Sequence, residues 1–196
     1  MAPERKTWFK RRYPDHAGSI AYFSAEFGVH NSLPIYSGGL GILAGDHCKT
    51  ASDLGVPLVG VGFMYPQGYV QQRLGIEGWQ QNHYEMLDRA SSPVRPALKP
   101  DGAECTIALD IGGWHLKVKV WRAQVGRVPL YLMDTNVDGN DLRDREVSNR
   151  LYGGDRNTRL RQEILLGIGG LRILRELGVD AGISHINEGH AAFMIL

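Results

Sequence analysis

The sequence lacks most of the features that assign a protein to a function class directly. Its 196 residues include two cysteines, Cys48 and Cys105, which are far apart and match no metal or disulfide pattern. We interpret them as reduced thiols, which favours a cytoplasmic protein. No apolar run reaches membrane length. The formal net charge of +1 indicates no strong attraction to nucleic acid or to a membrane surface.

The start of the chain has no targeting signal that we can identify. Residues 1–18 are basic but contain no apolar core of the kind found in signal peptides, so we interpret them as a solvated lead-in segment. No internal repeat or low-complexity tract follows. The composition, with 43% hydrophobic and 22% charged residues, is that of an ordinary globular protein.

The patterning of residues 19–65 predicts a strand, a helix and a second strand. Residues 19–28 and 56–65 are apolar runs typical of buried strands. Between them, a helix is predicted from Gly39 to Leu54, ended by Gly55. Its predicted buried face consists of seven residues: Leu40, Leu43, Ala44, His47, Cys48, Ala51 and Leu54. Strand, helix and strand in this order predict an α/β fold with a parallel sheet.

The rest of the chain mixes predicted loops with regular elements. Residues 66–88 and 91–102 are predicted to be irregular. Four elements are predicted: an antiparallel hairpin at 104–124 that turns at Gly112 and Gly113, a strand at 128–136, a helix from Arg159 to Leu177 closed by Gly178, and a strand leading into a short helix at 181–196. The predicted stripe of the long helix is Leu160, Ile164, Ile168, Leu171 and Leu174. Since the last helix has barely begun, we expect the chain to be the front part of a longer protein.

A glycine turn before the first long helix is the most prominent motif. Gly39, Gly41 and Ala44 match the dinucleotide fingerprint G-x-G-x-x-A, and a helix starting there directs its free N–H groups toward an anion. However, about ten residues separate the turn from the preceding strand, and the next strand ends without the acid that holds a ribose. These departures argue against NAD. An anion, a sugar oxygen or a purely structural turn remain as alternatives.

A second polar loop, RLYGGDRNTRLRQE, precedes the long helix. Asp155 is a candidate hydrogen-bond acceptor for a hydroxyl-rich ligand, or simply a carboxylate at a helix entry. The second alternative is supported by Thr158 as a candidate N-cap and by Gln162 near the capping-box position.

A third polar turn, HINEGH, follows the last predicted strand. Its residues His185, Asn187, Glu188 and His190 raise the question of a metal site, but the spacing is not H-E-x-x-H and the segment is not one helix face. Hydrogen bonding to a polar ligand fits the turn better, and we expect no metal. No Ser-His-Asp or Cys-His arrangement stands out, and spacing selects no pair of carboxylates.

These three blocks, in this order, resemble the N-terminal domain of α-glucan phosphorylases of the short bacterial and archaeal branch. The similarity extends from about Trp8 over nearly the whole chain. It implies a Rossmann-like sheet, with residues 19–196 as part of the N-terminal domain of the two-domain GT-B arrangement. It further implies a hexosyltransferase that degrades α-1,4-glucans with inorganic phosphate to glucose 1-phosphate. The pyridoxal 5′-phosphate of such enzymes is bound to a lysine of a C-terminal domain that is absent here.

The resemblance also implies roles for particular residues. The glycine loop corresponds to Gly38, Gly39, Leu40 and Gly41, whose amides face phosphate and sugar, with Gly38 and Gly39 also indirectly near the cofactor. The active-site gate loop falls on Tyr152 to Arg156, so that Asp155 and Arg156 are expected near the substrate, and the sugar-contacting histidine corresponds to His190. Two departures are Gly28 and Val70, which stand where related enzymes carry aromatic residues.

We expect the isolated chain to be inactive, because the resemblance gives it no complete catalytic set. A homo-oligomer is compatible with the sequence. One alternative is a GT-B glycogen or starch synthase, against which the residues before the glycines, Tyr36 and Ser37, argue, since such enzymes have K-T-G-G-L there. Another is a non-catalytic glucan-binding module, in which Trp79 and Tyr84 would stack on sugar rings. An NAD-dependent oxidoreductase is the most distant alternative.

Overall fold

The computed structural model describes residues 7–68, 71–83 and 86–196. The strands are β1 Ser19–Phe23, β2 Leu58–Phe63, β3 Gln71–Leu74, β4 Gln80–His83, β5 Val94–Pro96, β6 Thr106–Ile111, β7 Trp114–Val125, β8 Val128–Asp134 and β9 Ala181–Ile186. The α-helices are α1 Trp8–Arg12, α2 Gly39–Leu54, α3 Leu142–Arg145, α4 Arg156–Ile164 and α5 Gly170–Glu176. A π-helical turn, Leu165–Gly169, joins α4 to α5, and short 3₁₀ turns lie at Glu146–Ser148 and Ala192–Ile195.

The main sheet has a parallel centre and an antiparallel flank. Its order is β5-β7-β8-β2-β1-β9, and β6 pairs with the other side of β7. The four strands β8, β2, β1 and β9 are mutually parallel. Among these four, the chain order is third, second, first and fourth, so the direction of winding reverses between β1 and β9. In α/β sheets, ligands bind beyond the carboxyl ends of the strands at such a reversal. The loops that follow β1 and β9 flank this position.

The predicted α/β class is confirmed, and two predicted loops are corrected. The hairpin of β6 and β7 turns at Gly112 and Gly113, both with positive φ, and extends the main sheet. Residues 66–88, predicted as irregular, contain the antiparallel pair β3 and β4, and residues 91–102 contain the edge strand β5. These strands were not predicted because they are short and largely polar, whereas apolar alternation is the main sequence signal of a strand. Val70 and Tyr84 lie outside the described residues.

Helix α2 has the predicted bounds, and its buried face includes the predicted Ala44, Cys48 and Ala51 but otherwise differs from the prediction. It ends at Gly55, whose φ of 72° is left-handed. The buried residues are Gly41, Ala44, Gly45, Cys48, Ala51 and Ser52. Leu43 is 59% exposed, contrary to the prediction. The reason is a close backbone contact: the N–H of Gly28 donates to the carbonyl oxygen of Gly41 at 2.7 Å. Only small residues fit at that distance, so the large side chains turn outward.

The second long helix is interrupted, which shifts its buried face. It begins at Arg156 rather than Arg159, and the π-helical turn inserts an extra residue before α5. As a result Leu160, predicted to be buried, is 46% exposed, whereas Leu165 and Leu166 are buried. The closing glycine was predicted correctly: Gly178 has a φ of 67° and its N–H donates to the carbonyl oxygen of Arg175.

The ends of the described chain pack on the same body. Thr7 accepts a hydrogen bond from the backbone N–H of Lys10 and so caps α1. The C-terminal 3₁₀ turn packs on the π-helical turn at Gly167.

Both cysteines are buried and unpaired, and burial raises the pKa of Cys48 to about 12. Within the described ranges, the helices are too short or too polar to cross a bilayer.

The fit of α2 against the segment after β1 predicts a large effect of one methyl group. A Cβ on Gly45 would lie 2.1 Å from the carbonyl oxygen of Gly28. We therefore expect Gly45→Ala to lower the free energy of unfolding by about 1–3 kcal/mol, despite the higher helix propensity of alanine. Urea denaturation of the chain measures this change.

The matched control is Gly182→Ala in β9, where a Cβ meets nothing within 4 Å. It is expected to change the free energy of unfolding by less than about 0.5 kcal/mol. Equal effects of the two substitutions would contradict the close-contact interpretation.

Candidate functional site

Three loops meet at the carboxyl edge of the parallel strands. One follows β1, one precedes α4, and one follows β9. The loop after β9 is tied to the end of β1, because the backbone N–H of Asn187 donates to the carbonyl oxygen of Phe23 at 2.8 Å and its side-chain amide donates to Ser24 Oγ at 3.1 Å. Asn187 and Ser24 are both buried. The turn HINEGH is thus fixed at the reversal point of the sheet.

A buried carboxylate joins the other two loops. Glu26 is 2% exposed. One of its oxygens, Oε2, accepts hydrogen bonds from the backbone N–H groups of Ser37 at 2.7 Å and Gly38 at 3.3 Å. The other, Oε1, accepts from the hydroxyl of Tyr152 at 2.5 Å. Burial and the hydrogen bond to Glu26 raise the pKa of Tyr152 well above its usual value, so its hydroxyl stays a donor.

The start of α2 presents free backbone donors. The first hydrogen bond that closes the helix runs from the N–H of Ile42 to the carbonyl oxygen of Gly38 at 3.2 Å. Within the described residues, the N–H groups of Gly39, Leu40 and Gly41 donate to no acceptor, as is usual for the first turn of a helix. These three donors and the positive end of the helix dipole are suited to an anion or a sugar oxygen.

The glycines of this turn divide into two kinds. A Cβ on Gly41 would lie 2.5 Å from Cβ of Tyr36 and 2.7 Å from Oε2 of Glu26, so glycine is required there by packing within the chain. A Cβ on Gly38 or Gly39 would meet nothing within 4 Å. Nothing in the described chain therefore demands a glycine at Gly38 and Gly39. Open space beside the free N–H groups is consistent with close approach of a ligand.

Asp155 forms the N-cap of α4. Its Oδ1 accepts from the backbone N–H of Thr158 at 2.9 Å and from its hydroxyl at 3.0 Å, and the backbone hydrogen bond is the main cause of a lowered Asp155 pKa. The prediction of Thr158 as the N-cap is therefore wrong. Gln162 does not complete a capping box but donates to the carbonyl oxygens of Val147 and Arg150. Arg156, the first helical residue, is exposed. The helix-entry interpretation of Asp155 is confirmed, and its contact with a ligand stays a prediction, as does that of Arg156.

His190 lies beside the loop that precedes α4. Its ring centroid is 6.0 Å from that of Tyr152, and its Nδ1 and Nε2 are 4.0 Å and 3.7 Å from carboxylate oxygens of Glu163 and Glu188. The two rings border a cavity lined by both apolar and polar side chains. Its lining consists of Ala25, Phe63, Tyr65, Leu151, Tyr152, Arg159, Gln162, Glu163, Leu166 and His190. The structure therefore brings His190 and the predicted gate loop together.

The two histidines of HINEGH lie in different environments. The ring of His185 packs against Tyr22 and His47, with centroid distances of 5.0 Å and 5.8 Å. The pKa of His47 is lowered, mainly by burial and to a smaller extent by the nearby His185. Among residues 7–68, 71–83 and 86–196, no three His, Cys, Asp or Glu side chains are grouped as metal ligands.

Comparison with known proteins gives this geometry a family context. No protein-family model matches the chain. The chain is 45% identical to the maltodextrin phosphorylase of Thermococcus litoralis over 193 residues, which are 98% of this chain and 23% of that protein. It is 49% identical to the glycogen phosphorylase of Mycobacterium tuberculosis over 181 residues, 89% of this chain and 21% of that protein. The chain belongs to the glycogen and maltodextrin phosphorylase family.

The chain covers a limited part of its relatives. It is 45% identical to the glycogen phosphorylase of Aquifex aeolicus over 194 residues, 97% of this chain and 28% of that protein. Over the three relatives the chain spans 21–28% of their length. The resemblance carried by the three sequence blocks is confirmed, and so is the Rossmann-like α/β fold that it implies.

The sequence patterns did not identify Glu26 or Asn187 as residues that join the loops of the site. Both are polar and buried, at 2% and 8% exposure. Glu26 lies three residues after the buried end of β1 at Phe23, and Asn187 directly follows β9, whose residues are mostly exposed. A carboxylate inside the apolar run SAEFG was the available signal, since buried charged groups are rare without hydrogen-bond partners. Its partners, Ser37, Gly38 and Tyr152, are 11 to 126 residues away in the sequence.

The cap formed by Asp155 predicts a pH-dependent contribution to stability. Because its pKa is lowered in the folded chain, this contribution is present above the unfolded value of about 4 and is lost as the pH falls through the folded value. Asp155→Ala removes the cap and is expected to lower the melting temperature near pH 7. Asp155→Asn keeps an N-cap acceptor and should lower it less.

The difference in melting temperature between the unsubstituted chain and Asp155→Asn should shrink as the pH is lowered below about 4. Thermal unfolding followed by circular dichroism between pH 3 and pH 7 measures it. A difference that stays constant over this range would show that the charge of Asp155 does not stabilise the cap.

Proposed function

We propose that this chain supplies one wall of the active site of an α-glucan phosphorylase. The reaction is the phosphorolysis of α-1,4-glucans, glycogen or maltodextrin, to glucose 1-phosphate. Residues 19–196 would then be part of the N-terminal domain of a GT-B enzyme that acts in the cytoplasm. Family membership supports the proposal, since relatives at 45–49% identity are named maltodextrin phosphorylase and glycogen phosphorylase.

The observation that carries the proposal is the start of α2. The N–H groups of Gly39, Leu40 and Gly41 donate to no acceptor among the described residues, and a Cβ on Gly38 or Gly39 would meet nothing within 4 Å. Fixed backbone donors at a helix N-terminus stabilise the oxygens of a phosphate, or negative charge that develops on an oxygen during reaction. In this role the glycine turn binds and orients the phosphate and the sugar.

The side of the cavity formed by α4 and the HINEGH turn provides candidate sugar contacts. His190 offers a ring nitrogen to a sugar hydroxyl, and Glu163 and Glu188 lie close enough to orient the ring. The carboxylate of Asp155 and the guanidinium of Arg156 lie at the entry of α4, where they are accessible to a hydroxyl-rich ligand. We propose these residues as the glucan-binding part of the wall.

We further propose that the complete protein uses pyridoxal 5′-phosphate. The open space at Gly38 and Gly39 fits close approach of a phosphate-bearing group to the backbone. When bound, the cofactor supplies a phosphate group that assists proton transfer. The residues of this chain would border it through backbone atoms of Gly38 and Gly39, while the lysine that holds it would belong to the C-terminal domain.

A chimera tests the proposed function. This chain replaces the matching segment of the Thermococcus litoralis maltodextrin phosphorylase, and the release of glucose 1-phosphate from maltodextrin and phosphate is measured. We expect the chimera to be active and the 196-residue chain alone to be inactive. Gly39→Val should lower kcat/KM of the chimera by roughly 10- to 100-fold, because its side chain fills the space beside the free N–H groups.

Gly182→Ala serves as the control and should leave kcat/KM unchanged, since a Cβ there meets nothing and the residue lies on β9. Robust release of glucose 1-phosphate by the chain alone would overturn the proposal that it forms only one wall. A folded chimera that binds maltodextrin without phosphorolysis would instead favour the glucan-binding module.

A further inference from the structure

The hydrogen bonds of Glu26 connect parts of the site that are distant in sequence. Its two carboxylate oxygens are divided between two loops: Oε2 accepts from the backbone of Ser37 and Gly38, and Oε1 accepts from Tyr152. The first contact holds the entry to the glycine turn. The second holds the loop that leads to Asp155. One side chain therefore controls the separation between these two sides of the site.

Buried hydrogen bonds hold the backbone at Glu26. Glu26 lies three residues after the end of β1 at Phe23, and its carbonyl oxygen accepts from Ser24 Oγ at 2.8 Å. The preceding carbonyl oxygen, of Ala25, accepts from the hydroxyl of the buried Tyr65 at 3.0 Å. Both contacts are buried. A side chain that is anchored in this way can fix loops that would otherwise be free to move.

A carboxylate is a costly choice for this buried position if stability alone is considered. Among the described residues, no Lys, Arg or His forms an ion pair with Glu26. Its charge is compensated by two N–H groups and one hydroxyl, and a buried charge without an ionic partner carries a desolvation cost. An apolar residue would avoid that cost but would leave both loops unattached.

The partners of Glu26 also show that its geometry is enforced. Tyr152 adopts a φ of 55°, in the left-handed region that non-glycine residues seldom occupy. There is no room for a side chain at Gly41, because an added Cβ would lie 2.7 Å from Oε2 of Glu26. The carboxylate thus packs directly against the turn whose N–H groups are free. Tyr152 also lines the same cavity as His190.

We propose that Glu26 is a positioning residue that fixes the glycine turn and the Tyr152 loop relative to each other. Through these contacts it directs the free N–H groups of Gly39 to Gly41 and the cavity beside His190 toward a single bound ligand. This role rests on the proposed phosphorolysis of α-glucans. Glu26 itself lies behind the turn and acts through the backbone of Ser37 and Gly38 and the hydroxyl of Tyr152.

A double-substitution experiment in the chimera tests this role. The variants are Glu26→Leu, Tyr152→Phe and both together, with kcat and KM measured for phosphate and for maltodextrin. We expect Tyr152→Phe to lower kcat/KM about tenfold when Glu26 is present and less than about twofold in the Glu26→Leu background, because contacting groups are coupled. Glu26→Gln, which keeps an acceptor oxygen for the N–H groups, should restore most of the activity lost in Glu26→Leu.

A purely structural role of Glu26 predicts a different result. The effect of Tyr152→Phe on kcat/KM would then be the same in both backgrounds, and Glu26→Leu would lower only the melting temperature. Either observation would overturn the proposal.

Hydrogen exchange separates this proposal from the proposed function. In the same chimeras, the backbone amides of Ser37 and Gly38 should exchange slowly, and at least about tenfold faster in Glu26→Leu because their acceptor is removed. Unchanged exchange would show that Glu26 does not hold the turn. If the unsubstituted chimera is folded but releases no glucose 1-phosphate, the proposed function fails, and with it the role in that reaction, even where exchange shows that the contact exists.

Discussion

The backbone contact between α2 and the segment after β1 is the constraint on which the rest of the site depends. The N–H of Gly28 reaches the carbonyl oxygen of Gly41, and Gly45 passes so close to Gly28 that no side chain fits between them. This contact sets the position of the first turn of α2 at the carboxyl edge of the sheet. That turn is linked to the loop before α4, because the N–H of Gly38 and the hydroxyl of Tyr152 donate to the same carboxylate of Glu26.

Hydrogen bonds from backbone donors then define the electrostatics of the site. Glu26 is held by N–H groups of the glycine turn and Asp155 by the N–H of Thr158, so both carboxylates are tied to the starts of helices. Negative charge is favourable at a helix N-terminus. At α2 the carboxylate occupies the inner side of the turn, which leaves the N–H groups of Gly39 to Gly41 for a ligand. Fixed placement of donors in this way is what the proposed phosphate-binding role requires.

Much of the fold could be predicted from local patterns, and the exceptions have physical causes. The helix at Gly39–Leu54 and the hairpin turning at Gly112 and Gly113 were predicted correctly because their end signals are local. The buried faces of both long helices were predicted only in part: Ala44, Cys48, Ala51 and Leu174 are buried as predicted, whereas Leu43 and Leu160 are exposed. Apolar periodicity assumes that the largest side chains face the core, whereas α2 approaches backbone and buries glycine and alanine. The π-helical turn after Ile164 shifts the phase of the second helix, and no residue pattern identified it.

The sequence by itself determined the family of this chain, because long ordered matches are specific. It also identified the three polar blocks, because turn residues impose local geometry. The tertiary structure alone decided how those blocks cooperate. Residues as distant as Glu26 and Tyr152 become partners only when the parallel pairing of β1, β2 and β8 brings the carboxyl ends of β1 and β8 to one edge. It also distinguished Gly41, which packing requires, from Gly38 and Gly39, which face open space. Such distinctions depend on which atoms approach each other in the fold, and sequence spacing does not encode those distances.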